Sequence, residues 1–218
     1  MAVNLEVFSD IACPWCFIGK RRLFETLGSD ANADEVSITW RAFMLQPGLP
    51  AEGLPAHEFY RQKFGSEGAV QAAFDRVTQA GKSVGIRFDF EAMKVAANTK
   101  LAHRAIKVCA ALGEGNAATE ALFRAHFEEG ANVGMLADVM AALERHKVSV
   151  DLGEVKAALQ SGAGDDAVEQ DVARAAALGV GGVPLFLAPS AKGLLAVEGA
   201  QSPEVLRLLL ARAREAKV

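Results

Sequence analysis

Cysteine is scarce in this chain, with three residues in 218. So few cannot build a disulfide framework, and no second cysteine pair or paired histidine motif stands at metal-ligand spacing, which argues against a zinc module. An excess of charge of one sign is also lacking. The 23 basic and 27 acidic residues leave a formal net charge of −4 and are interspersed, so there is no basic stripe for nucleic acid and no polybasic patch for a membrane surface. No apolar run approaches the length of a membrane span. No charged region followed by an apolar one and a small-residue cleavage site opens the chain, and the sequence predicts a cytoplasmic protein. Internal repeats and low-complexity segments are missing too. What is present is ordinary globular composition, 51% apolar, in a chain long enough for one large or two small domains.

Two of the three cysteines stand together, in Asp10-Ile11-Ala12-Cys13-Pro14-Trp15-Cys16, between an alternating apolar run and a helical one. At a helix N-terminus the unpaired backbone N–H groups and the dipole favour a thiolate, which makes Cys13 the candidate nucleophile. Two intervening residues place Cys16 about one turn on, where it can close a small disulfide or resolve a mixed one. Pro14 falls at the first helical position, where its missing N–H costs nothing. A bridge this short constrains almost no chain, so a redox role fits better than a structural disulfide.

Val3, Leu5 and Val7 alternate with Asn4, Glu6 and Phe8, which predicts a first strand. The helix from Cys13 is predicted to end near Gly28, with Lys20, Arg21 and Arg22 on a solvated face. Val36, Ile38 and Trp40 alternate in a second strand, and strand-helix-strand opens a parallel unit. A Pro- and Gly-rich connector runs from Gln46 to Pro55. From His57 to Leu178 the pattern is helical without a strand: Val70, Ala73, Phe74 and Val77 form one apolar stripe. Leu101, Ala105, Cys109 and Leu112 form a second stripe, and Met135, Leu136, Val139, Met140 and Leu143 a third. Asp151 and Glu154 read as a capping box. Val183-Pro184-Leu185-Phe186-Leu187 is predicted to be a strand beginning at its proline, with Leu194–Val197 as hairpin partner. Ser202-Pro203 then starts a last helix. The predicted fold class is α/β: residues 1–55 and 179–218 form one discontinuous domain, and 56–178 an all-helical insertion.

This order, CPWC at the first helix and Gly-Val-Pro before a late strand together resemble the thioredoxin superfamily, specifically DsbA-like proteins of the FrnE-like group, related to 2-hydroxychromene-2-carboxylate isomerases. Ser9-Asp10 with Ile18-Gly19-Lys20, Asn98-Thr99 with Ala102-His103-Arg104, Phe127–Val133, and Gly179–Phe186 with Glu198-Gly199-Ala200-Gln201 carry the resemblance over most of the chain. It implies a thioredoxin-like fold and a cis Val183–Pro184 bond against the CPWC loop, whose Val183 backbone groups would pair with an extended substrate. The isomerase and kappa-type transferase relatives typically have serine where Cys13 stands; both cysteines here favour disulfide exchange.

The expected function is therefore that of a thiol-disulfide oxidoreductase. Cys13 and Cys16 are the catalytic pair; Pro14, Trp15 and Asp10 tune it, Asp10 being equally readable as a turn residue. Val183, Pro184, Asn98, Thr99 and His103 are candidates for the substrate cleft, although Asn98 and Thr99 could simply cap a helix. Cys109 reads as an inert core thiol, and His57, His126 and His146 as scattered single residues. No metal or organic cofactor is called for, with glutathione a conceivable co-substrate and a partner reductase a conceivable recycler. Protein or small-molecule disulfides are the expected partners. The alternatives are a glutathione-dependent isomerase or transferase, and a non-catalytic peptide-binding or chaperone module.

Overall fold

The computed structural model describes residues 3–215. Strand β1 (Val3–Ser9) leads into helix α1 (Pro14–Gly28), and after a 3-10 turn at Ala33–Glu35 the chain returns as β2 (Val36–Ala42). β2 lies parallel to β1, with Val3 opposite Val36 and Ser9 opposite Ala42. A minimal ladder follows, β3 (Leu54–Pro55) against β4 (Val95–Ala96), with α2 (Ala56–Phe64) and α3 (Glu67–Lys82) between its strands. Then come α4 (Lys100–Ala111), α5 (Gly115–Glu129), α6 (Leu136–Arg145), α7 (Leu152–Gln160) and α8 (Asp165–Ala177). The hairpin β5 (Leu185–Ser190) and β6 (Gly193–Glu198) and helix α9 (Pro203–Glu215) complete the fold. The main sheet has the order β2-β1-β5-β6, with β5 antiparallel to both its neighbours. This is an α/β thioredoxin fold carrying a helical insertion.

The period-two pattern of β1 decides how the sheet is covered. Val3, Leu5 and Val7 join one core with Phe17, Ile18 and Leu23 of α1 and Leu206, Leu209 and Leu210 of α9. On the opposite face Phe8 packs with Leu185, Leu187 and Ala175, the last from α8. Beside it, Glu6 accepts from Arg41 at 2.8 Å and from both Nε and Nη2 of Arg174 at 2.8 Å. Asp171, also on α8 and 1% exposed, accepts from the Ala42 N–H at 2.7 Å and from Arg41 at 3.0 Å, and pairs with Lys107 of α4. The last helix of the insertion thus closes the second face of the sheet.

Four expectations need correction. Val95–Ala96 is a strand inside the block predicted to be wholly helical; two residues are too short for a period to register. Lys20 is not solvated. It is 4% exposed, bonded to Glu120 of α5 at 2.7 Å and 4.1 Å over the Phe24 ring. Arg21 pairs with the same Glu120, because α1 packs against the insertion where the sequence predicted water, and Arg22 donates to the Ala200 carbonyl in the turn after β6. Leu112 and Met135, read as stripe residues, fall just outside their helices and are exposed. Finally, β5 begins at Leu185, one residue after the proline predicted to start it.

Candidate active site

β1 delivers Ser9 and Asp10 to the sheet end, where the Cys13 N–H donates to the Asp10 carbonyl at 2.9 Å and closes a turn. Cys13 is the N-cap of α1, with extended backbone (φ −99°, ψ 108°), and Pro14 follows as a first-turn proline. The Cys13 carbonyl accepts from the N–H groups of Cys16 at 3.0 Å and Phe17 at 3.4 Å. The first sulfur therefore sits at the positive end of a helix of just over four turns. Cys13 is 5% exposed and Cys16 1% exposed. Burial first, and then contact with Cys13, push the Cys16 thiol well above its ordinary pKa; the Asp10 N–H and the Ser9 hydroxyl offset this only in part. Cys16 thus waits as a protonated thiol. Half-buried Trp15 flanks the pair.

The Val183–Pro184 bond is cis, and the Cys13 thiol donates to the Val183 carbonyl at 3.6 Å. Residues 170 apart in sequence are thereby in contact. Pro184 is buried and Val183 half-buried. The Pro184 carbonyl accepts from the Gly199 N–H at 2.8 Å, and Gln201 donates to the Glu198 carbonyl at 2.8 Å. With Arg22 on the Ala200 carbonyl, the 198–201 turn is tied both to the proline and to α1. Gly19 makes this possible. A Cβ there would fall 2.9 Å from Pro184 Cγ and 3.3 Å from Phe186 Cζ.

Behind the thiols lies Asp10, 1% exposed. Its Oδ1 accepts from the Ala12 N–H at 3.1 Å and its Oδ2 from the Leu45 N–H at 2.7 Å, so one carboxylate anchors both the CPWC loop and the chain leaving β2. His103 Nε2 lies 3.5 Å from Oδ1, without hydrogen-bond alignment. Burial alone would raise the Asp10 pKa, but His103 and the two N–H donors outweigh it and hold the carboxyl below its ordinary value. Asp10 is both the turn residue and a charge under the redox pair.

The other polar candidates separate. His103 reaches the CPWC loop through Asp10. Asn98 spends both ends of its amide on backbone, donating to the Leu49 carbonyl at 2.6 Å and accepting from the Lys100 N–H at 2.9 Å; it staples the connector to the start of α4. Thr99 is buried at that same helix start. Arg104 donates to the Leu159 and Ala163 carbonyls and holds the end of α7. Cys109 is fully buried, with its thiol pushed up to about 11 by burial and then by Glu114. Among the described residues no three His, Cys, Asp or Glu side chains gather as a metal site.

Sequence reasoning missed Tyr60, the chain's single tyrosine. It is half-buried on α2, and its phenol is pushed up to about 12 by burial, then by the negative charges of Asp10 and Cys13. Being the sole tyrosine was the one signal available; its spacing gave none.

An N-cap thiol, a second thiol one turn on and a cis proline whose neighbouring carbonyl faces the first sulfur define a thioredoxin-fold protein of the DsbA type. The chain belongs to the DSBA-like thioredoxin domain family, whose model matches residues 4–211. Among solved structures, a probable DsbA oxidoreductase from Streptomyces coelicolor is similar with a TM-score of 0.85 and 28% identity, over 99% of this chain and 92% of that one. The cytosolic disulfide reductase DsbM from Pseudomonas aeruginosa shares the fold at TM-score 0.71 and 16% identity, over 97% and 98% of the two chains. A 2-hydroxychromene-2-carboxylate isomerase shares it at TM-score 0.64 and 14% identity, over 98% and 96%. Disulfide oxidoreductases and an isomerase thus have this architecture. Among the described residues no helix is long and apolar enough to cross a membrane.

Proposed function

We propose that this protein is a thiol-disulfide oxidoreductase working through a mixed disulfide on Cys13. The observation that carries the reading is the geometry of the pair: Cys13 caps α1 with its sulfur beside the Val183 carbonyl, while Cys16 lies one turn into the helix and is almost fully buried. In the reductive direction the Cys13 thiolate attacks a substrate disulfide, a Cys13–substrate bond forms, and one substrate sulfur leaves. Cys16 then gives up its proton and attacks the Cys13 sulfur. The Cys13–Cys16 bond forms as the second substrate thiolate departs and takes up a proton. The substrate gains two electrons and two protons, which the pair loses, so no metal or organic cofactor is required. Two glutathione thiols, or a partner reductase, return those electrons. The Val183 backbone would pair with an extended substrate, making recognition tolerant of side-chain sequence.

The likeness to a cytosolic disulfide reductase, also known in a structure with GSH, supports a reductive, glutathione-linked role in the cytoplasm. The test is an equilibrium titration of the purified protein in defined glutathione buffers, with free thiols counted and Trp15 fluorescence followed. A single two-electron transition on Cys13 and Cys16 is expected. If the pair never forms a disulfide across the range, the oxidoreductase reading fails, and a glutathione-dependent isomerase or a binding module takes its place.

A further inference from the structure

An aromatic pocket of about 650 Å3 lies between α2, α3 and the segment before β4. That volume is in the range of sites that enclose a bulky organic group. Its walls include Tyr60, Phe74, Phe88, Phe90 and Met93. Phe74 and Phe90 stack with centroids 4.0 Å apart, Phe88 and Phe90 stack at 5.3 Å, and Tyr60 meets Phe74 edge-on at 5.3 Å. The Phe88 ring lies directly against Gly81 of α3, where a Cβ would be 2.5 Å from the ring. These rings support one another while leaving half-buried faces toward the opening.

The rim is acidic. Glu67, Asp75, Asp89 and Glu91 face the pocket against Lys94 and His57, and His57 already pairs with Glu67 at 2.7 Å. Tyr60 stands between the pocket and the redox centre: it also lines a closed crevice of about 10 Å3 with Ala12, Leu45, Leu49 and Phe59, so its ring packs next to the residue before Cys13. A ligand that reaches from Cys13 over the Tyr60 ring to the pocket is extended, with an apolar anchor and positive charge at its far end.

Resting on the thiol-disulfide reading above, we propose that this pocket is a remote docking subsite for polypeptide disulfides. It takes one aromatic side chain of the client, flanked by a lysine or arginine, while the client cysteine is engaged at Cys13. Main-chain pairing at Val183 is blind to sequence; the aromatic pocket adds selectivity several residues away. Remote binding of this kind raises the efficiency of the exchange without touching the sulfurs.

The test compares synthetic ten-residue peptides, each with one cysteine held as a mixed disulfide with glutathione and with Phe-Lys, Phe-Glu or Gly-Ser placed two to six residues away. Reduction by the protein is measured as kcat/KM, with oxidised glutathione as the reference substrate. At the best spacing Phe-Lys is expected to exceed Gly-Ser by about tenfold, the scale set by burying part of one large apolar side chain, with Phe-Glu in between. Val70→Trp, which fills the pocket, should abolish that advantage and leave reduction of oxidised glutathione unchanged. Asp75→Lys, on the exposed rim, should narrow or reverse the preference for Phe-Lys over Phe-Glu. Equal kcat/KM for the three peptides, with oxidised glutathione turned over normally, would overturn the subsite alone. Failure to reduce any of these disulfides would overturn the oxidoreductase reading on which it rests.

Discussion

At Gly19 the absence of a side chain sets how near α1 comes to the cis proline. Gly19→Ala would press a methyl group onto the Pro184 ring, which cannot swing away. The expected cost is about 1–3 kcal/mol of stability, measured by urea unfolding, with a parallel fall in disulfide turnover; an unchanged Cm and rate would contradict the packing described. Asp10 makes a pH prediction. Its folded pKa lies below the ordinary 3.8, so the stability it contributes is fully present above that value and disappears as pH falls through the folded pKa. Asp10→Asn should destabilise the protein at neutral pH by about 1–3 kcal/mol, because an amide cannot accept equally from Ala12 and Leu45. In unfolding curves at successive pH values the gap to the parent should close in acid. Placements were legible where they depend on neighbours in sequence: Cys13 at the start of α1, the first-turn proline and the buried Cys109. The Asp10–His103 approach and the place of Tyr60 were not, because packing alone brings those groups to the thiols.

Helix α8 shows the same divide at the scale of elements. Its sequence is helical, but nothing in its period says that Asp171 will meet the Ala42 N–H, Arg41 and Lys107 at the edge of the sheet. Removing one partner from a buried charge cluster leaves the others uncompensated. Asp171→Ala is accordingly expected to cost about 3–5 kcal/mol, measured by denaturant unfolding, whereas Asp166→Ala, exposed at the start of the same helix, should cost far less. Equal effects would mean that the clasp contributes nothing beyond ordinary helix propensity. The solvated face predicted for Lys20 failed for a related reason: a helix's polar stripe marks charge, and here the insertion supplies Glu120 to meet it. β1 and β2 were legible from alternation, β5 and β6 as a short apolar run after a proline and its hairpin partner, and the β3–β4 ladder was too short to be.

Across the whole molecule the sheet and the insertion share one continuous core, in which Phe17 of α1 stacks on Phe123 of α5 at 5.1 Å and meets Phe88 edge-on at 6.1 Å. Residues of both parts of the chain belong to that core. Fluorescence of Trp15 and Trp40 and far-UV circular dichroism should therefore report one coincident unfolding transition, and two separated transitions would show that the insertion folds on its own. The active site draws on the same unity, since β1, α1, the chain before β5 and α4 each bring a group to Cys13 or to Asp10. The central claim is that Cys13 attacks and Cys16 resolves. Its most direct measurement is mass spectrometry, with peptide mapping, of reduced Cys16→Ser protein mixed with a disulfide substrate. A single stable adduct on Cys13 is expected, absent from Cys13→Ser; an adduct on Cys109, or full turnover by Cys13→Ser, would contradict it.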